Sequence, residues 1–258
     1  MTIETAGSTP AQPVSPAAPA KNVFQRIAGV FFAPDETFAD IARRPDILWP
    51  LVILTLFSFV TTALIVPRLD MDAVVAQQAE MLQKQNPNMS DADVERMGRM
   101  TRAMGKVSGW LTPVLSIIGY LLIALVLWGA FRVMGGDGDF KESLSTTLYA
   151  YMPAVLLGGL IATVIIVMRG TVDPTQMATV VKTNPAFLVD AKEQPVLSAF
   201  LASFNIFVLW TIFLLTVGFS KVARVTKAKA ATIIVLLWLV TIGVKVGFAA
   251  LGAARMNG

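Results

Sequence analysis

Five separated apolar runs dominate this sequence, at about residues 47–66, 111–131, 148–168, 197–219 and 232–251. A hydrocarbon core about 30 Å thick takes roughly 20 helical residues to cross, and every run is that long. Lipid offers no hydrogen-bond partners to a peptide backbone, so such runs cross it as helices. The runs therefore predict an all-α fold, a polytopic membrane bundle of five transmembrane helices with short amphipathic surface helices. Residues 21–258 read as one membrane domain. Residues 1–20, rich in Pro, Ala and Ser, read as a disordered cytoplasmic tail. They lack the basic and apolar regions of a secretory signal.

Composition narrows the chemistry. The chain is 55% hydrophobic and 15% charged, with no cysteine and no histidine. Disulfides, thiolate nucleophiles, Cys/His metal sites and imidazole bases are excluded. So are Ser–His intramembrane proteases and H-E-x-x-H metalloproteases. Not one Asp or Glu falls within the five runs, whereas ion-coupled carriers usually place titratable groups there. The net charge of +4 reads as loop charge facing lipid, not as a nucleic-acid footprint. The expectation is a protein that is not an enzyme, with no cofactor and no metal. A Ser–Lys enzyme is the remaining catalytic alternative.

The segment before the first run predicts two short helices on the membrane surface. Val23, Phe24, Ile27, Val30 and Phe31 form an apolar stripe. Pro34, Asp35 and Glu36 suit the first turn of a second helix, which Phe38 and Ile41 continue. Residues 68–109 form the longest hydrophilic stretch, an outer amphipathic loop. Val94, Met97, Met100 or Thr101, Met104 and Val107 recur there at helical steps. This methionine stripe reads as a helix lying on lipid or on the bundle, with a partner groove or a Cu(I) pathway as the alternatives; the neighbouring arginines argue against the cation path. Gly135, Gly136 and Gly138 read as a connector turn, since no strand precedes them and no G-K-[ST] follows.

Loop charge sets the expected orientation. Residues 220–231 carry Lys221, Arg224, Lys227 and Lys229 with no acid, so this loop is expected in the cytoplasm. Alternation then puts the N-terminus inside and the C-terminus outside, in the cell (inner) membrane. The same four residues are candidate headgroup-binding cations, at about 1 kcal/mol each near an anionic surface. Lys245 is the one ionisable residue well inside a run. Counting residues brings Asn205 to a similar depth, which makes Asn205 and Lys245 a candidate intramembrane polar contact, with Ser116 or Tyr120 nearby. Snorkelling of Lys245 is the competing expectation. Gly243 and Gly247 put two small residues on one helix face, a candidate for helix packing within the chain or between copies.

Three patterns carry a family resemblance. The first runs from Phe31 through Pro34, Phe38 and Ile41 to Ala42. The second runs from Gly135-Gly136 through Phe140-Lys141-Glu142 to Tyr149, Tyr151 and Pro153. The third is Phe204-Asn205-Ile206-Phe207 with Trp210, then Gly218-Phe219-Ser220-Lys221 and Trp238. In this order, with five runs, the chain resembles the bacterial branch of the Yip-one domain family, relatives of the Ypt/Rab-interacting membrane proteins. The resemblance implies a five-span helical domain with a cytosolic N-terminus. Bacterial relatives often carry an acid where this chain has Asn205, which counts against a charged pair with Lys245. The eukaryotic role in vesicle traffic is carried over less readily than the fold, because the tail shows no GTPase-binding signature. The expected function is a non-enzymatic scaffold or membrane organiser with lipids as partners. Other membrane proteins or a second copy remain open as partners. The alternative is an accessory or permease-like subunit of a transport complex.

Overall fold

The computed structural model describes residues 21–257 apart from Pro87, Met89 and Lys192. The expected tail, residues 1–20, lies outside the described residues. Among the described residues the fold is helical, with one isolated parallel bridge between Leu69 and Val172.

Two short helices, α1 (Val23–Phe32) and α2 (Pro34–Arg43), precede the first crossing, α3 (Leu48–Ile65). Then α4 (Met71–Gln85) folds back against α5 (Asp91–Val133). The next crossing is α6 (Phe140–Pro153), a π-helical turn (Ala154–Gly158) and α7 (Gly159–Arg169) in succession. A loop with two 3₁₀ turns leads to α8 (Pro195–Ala202), α9 (Ile206–Val222) and the long α10 (Lys227–Asn257). Four of these helical stretches are long and apolar enough to cross a membrane, and the pair α8–α9, bent by 44°, adds a fifth if it forms one span. Only 17–22% of the residues in the four unbroken apolar windows are buried by protein. The rest of that surface has lipid as its natural solvent.

Loop contacts gather the helix ends into two sets. At one end Asp137 N donates to Ala223 O (3.2 Å), so the turn after α5 meets the turn after α9. At the other, Asp70 N donates to Val172 O (2.9 Å) and Ile206 N to Thr183 O (3.0 Å). The 17 residues of α9 join the two ends and rise about 25 Å on their own.

Three sequence expectations change here. The outer amphipathic segment is not separate from the second crossing: α5 runs unbroken for 43 residues, about 64 Å. Ser90 caps its start, and Pro113 is accommodated inside it. Its polar half packs on α4 and on the turn before it, where glycines let side chains in. A Cβ at Gly105 would come within 2.2 Å of Met71, and one at Gly109 within 2.7 Å of Val66. Second, the fourth apolar run is not one helix: it is broken at residues 203–205. Third, α2 is not a surface helix on lipid. It packs on α6 and α9 and buries Thr37, Phe38, Asp40 and Ile41.

Candidate functional site

The most elaborate chemistry lies at the α1–α2 end. Asn22 and Gln25 form a reciprocal capping box that starts α1. The two short helices approach closely because Gly29 lacks a side chain; a Cβ there would sit 2.2 Å from Thr37 Oγ1. Arg26 faces inward with Val30. Its Nε donates to Asp40 Oδ2 at 2.9 Å, and its Nη2 lies 2.8 Å from the same oxygen. Both side chains are only 6% exposed, so the pair is a buried charge contact rather than a surface one.

Beneath this hairpin lies the polar start of α6. Ser143, Ser145, Thr146, Thr147 and Tyr149 are all buried. Ser145 donates to Asp46 O (2.8 Å) and accepts from Asp46 N (3.1 Å). Tyr149 Oη donates to Asp46 Oδ2 at 3.4 Å. Phe38 is fully buried against Gly218 of α9, where a Cβ would come within 3.0 Å of its ring and 2.4 Å of Thr146 Cγ2. These groups fix the hairpin to the bundle by apolar packing, with a satisfied ion pair inside.

The exposed edge of α2 is clamped by charge. Asp35 binds Lys221 (2.5 Å) and, on its other oxygen, Lys227. Hydrogen bonds from Lys221 and then Lys227 hold the Asp35 carboxyl below the usual carboxylate range. Thus two of the four candidate headgroup cations are spent first on α2. Arg224 Nη2 lies 4.0 Å from Glu142. Arg224 also has a left-handed backbone, φ 55°. It occupies the position after the α9 C-cap, with Val225 N donating to Ser220 O (3.2 Å) as in a Schellman ending. Lys229 is half-buried and makes no ion pair among the described residues.

The structure does not join Asn205 to Lys245. Asn205 caps α9, accepting from Phe207 N (2.8 Å) and donating to Thr183 Oγ1 (2.7 Å). A capping residue stands outside its helix, so residue counting along an unbroken span misplaces it. Lys245 is exposed, with no hydrogen bond or ion pair among the described residues. Ser116 returns its hydroxyl to Thr112 O (2.9 Å), and Tyr120 packs edge-on to Tyr151 (5.6 Å). Gly243 and Gly247 carry no packing within the chain: a Cβ at either would meet nothing within 4 Å.

The residues of the family pattern take varied places. Pro34 opens α2, Phe38 anchors it, and Phe31 is half-buried. Pro153 closes α6 where the π turn begins. Trp210 is 42% exposed on the lipid side.

Arg26, Asp35, Asp40, Asp46, Ser145 and Tyr149 were not singled out as site residues by sequence reasoning. Two signals for them exist. A cation stands in the apolar stripe of α1, and a run of small hydroxyl residues leads into the third apolar run.

The family model described as the Yip1 domain matches residues 28–248. The chain is also similar to a Bacillus subtilis (strain 168) protein described as "Membrane protein YknW". The two are 26% identical over 205 residues, covering 77% of this chain and 79% of that protein. No solved structure matches.

Proposed function

We propose, from the premise that this chain belongs to the Yip1 domain family of membrane proteins, that it is a non-enzymatic membrane scaffold that shapes or organises the leaflet around it. The observation that carries this reading is the mounting of α1. The helix is locked from behind by Arg26–Asp40, yet it presents Phe24 and Phe32 outward at 73% and 88% exposure. Each phenylalanine is worth roughly 2 kcal/mol when buried. A rigidly held apolar stripe beside basic loops has the chemistry of an interfacial wedge.

In this reading the α1–α2 end faces the cytoplasm of an inner membrane, and the C-terminus faces outside. Basic residues on the short turns support that orientation. Arg224 and Lys229 are its headgroup contacts, joined by Lys221 and Lys227 when the Asp35 clamp opens. Lipids are the partners.

The test is reconstitution of the full chain into vesicles of phosphatidylethanolamine and phosphatidylglycerol, with diameters read by cryo-electron microscopy. The double variant Phe24→Ser, Phe32→Ser is compared with wild type. A shift in vesicle diameter that the variant loses supports the wedge. Equal diameters and equal lipid preference overturn it.

A second reading, an accessory subunit of a transport complex, has its own observation. On the projecting half of α5, Met100, Met104 and Val107 are 63%, 63% and 60% exposed along one face. Such a stripe suits a partner helix. Met100→Glu with Met104→Glu would then release a stoichiometric partner in detergent while leaving vesicle shape unchanged.

A further inference from the structure

Between α2, α6 and the end of α9 lies a hollow of about 270 Å³. Ala39, Ala42 and Val222 wall it, and Arg43, Lys221, Arg224 and Glu142 edge it. The space exists because α2 turns two alanines toward it while Phe38 and Ile41 face the core. It is distinct from the buried Arg26–Asp40 pair, and it is open to water.

Its charge is unbalanced. Glu142 is already engaged: its Oε2 accepts from Asp139 N (3.0 Å) in the α6 capping box, and its Oε1 faces Arg224 at 4.0 Å. Lys221 shares Asp35 with Lys227. Arg43 makes no ion pair among the described residues. Counting every charged group on the hollow and its clamp gives four cations (Arg43, Lys221, Arg224, Lys227) against two carboxylates (Asp35, Glu142). Like charges held around a small space repel unless an anion joins them. Two guanidiniums and an ammonium are the donor set that suits phosphate oxygens. A phosphate monoester carries close to two negative charges at neutral pH, which matches the excess.

We infer that this hollow is a phosphate pocket, in which Arg43, Lys221 and Arg224 hold the phosphate group of a lipid headgroup or of a soluble phosphate ester. The inference refines the headgroup contacts of the scaffold reading from diffuse attraction to one site. It rests on that reading only for the lipid as the source of phosphate. Vesicle shape tests the wedge and phosphate binding tests the pocket, so either can fail alone.

The experiment uses the purified full chain in an uncharged detergent. Dioleoyl phosphatidate, dioleoylglycerol and inorganic phosphate are the probes, read by native mass spectrometry for the lipids and calorimetry for phosphate. Phosphatidate binds saturably and dioleoylglycerol, with the same chains and no phosphate, does not. R43Q removes a charged donor and weakens phosphatidate binding about tenfold or more. A42L fills the hollow without changing charge and does the same. R44Q removes the same charge one residue along, off the pocket lining, and changes binding less than about twofold. Position 43 is exposed, so R43Q keeps its fold even if A42L does not. Inorganic phosphate bound with the same variant pattern makes the natural ligand a soluble ester; phosphatidate alone makes it a headgroup. Binding unchanged in R43Q and A42L, or lost equally in R44Q, overturns the pocket.

Discussion

Removing either partner of the Arg26–Asp40 pair should release the α1–α2 hairpin. Both side chains are 6% exposed and joined by contacts of 2.8 and 2.9 Å. Arg26→Met leaves a buried carboxylate without its cation, and Asp40→Leu leaves a buried guanidinium. A single break of this kind costs about 3–5 kcal/mol. The double variant leaves no orphaned charge and puts apolar volume in place of the pair, so its cost should be near zero, within about 1–2 kcal/mol. Hydrogen exchange of the α2 backbone amides in detergent reads the effect locally, where a global melt would dilute it. At 1.4 kcal/mol per factor of ten, each single variant should speed α2 exchange at least about a hundredfold. The double variant should return to within about thirtyfold of wild type. The reasoning fails if the singles leave α2 protection nearly unchanged, or if the double variant is as exposed as the sum of the singles.

Further predictions concern contacts of different kinds. Gly218→Ala puts a methyl 2.4 Å from Thr146 Cγ2. It should cost about 1–3 kcal/mol by overpacking, and Thr146→Ala in the same chain should recover part of the lost melting temperature. The Asp35 clamp should depend on pH with a definite sign. Its carboxyl is depressed below 3.8 in the folded chain, so its contribution is complete above that value and is lost as pH falls through the lowered pKa. Hairpin protection, corrected for the intrinsic pH dependence of amide exchange, should therefore be flat across neutral pH and fall only in strong acid, and Asp35→Asn should abolish that fall. Asn205→Ala should cost about 1 kcal/mol through the lost cap, whereas Lys245→Met should change stability by no more than about 0.5 kcal/mol.

Hydropathy made the crossings legible because a bilayer imposes a length on every apolar run. It could not report what ends a helix inside such a run. Phe204-Asn205-Ile206 reads as uninterrupted span, yet the Asn205 amide captures Phe207 N and Thr183 and breaks it. The same blindness worked in reverse at Trp110, where polarity changes but nothing stops the helix, and α5 continues through. Amphipathicity identified α2 as a helix with an apolar face. Periodicity cannot say whether that face meets lipid or protein, and Phe38 meets Gly218. Charge counting found Lys221 and Lys227. Their first partner, Asp35, lies 192 residues before Lys227, and such a pairing exists only once the bundle closes.

The central claim is that the chain crosses the bilayer five times, with the bent α8–α9 pair as a full crossing. The chain contains no cysteine, so each engineered thiol is the only one present. Single cysteines at Glu36, Asp137, Thr226, Ser90 and Asp190, labelled in intact cells with a membrane-impermeant maleimide, give the sidedness of every turn. Positions 36, 137 and 226 should react only after the membrane is opened, and positions 90 and 190 should react in intact cells. Asp190 and Thr226 reacting from the same side would make the bent pair re-entrant and contradict the account.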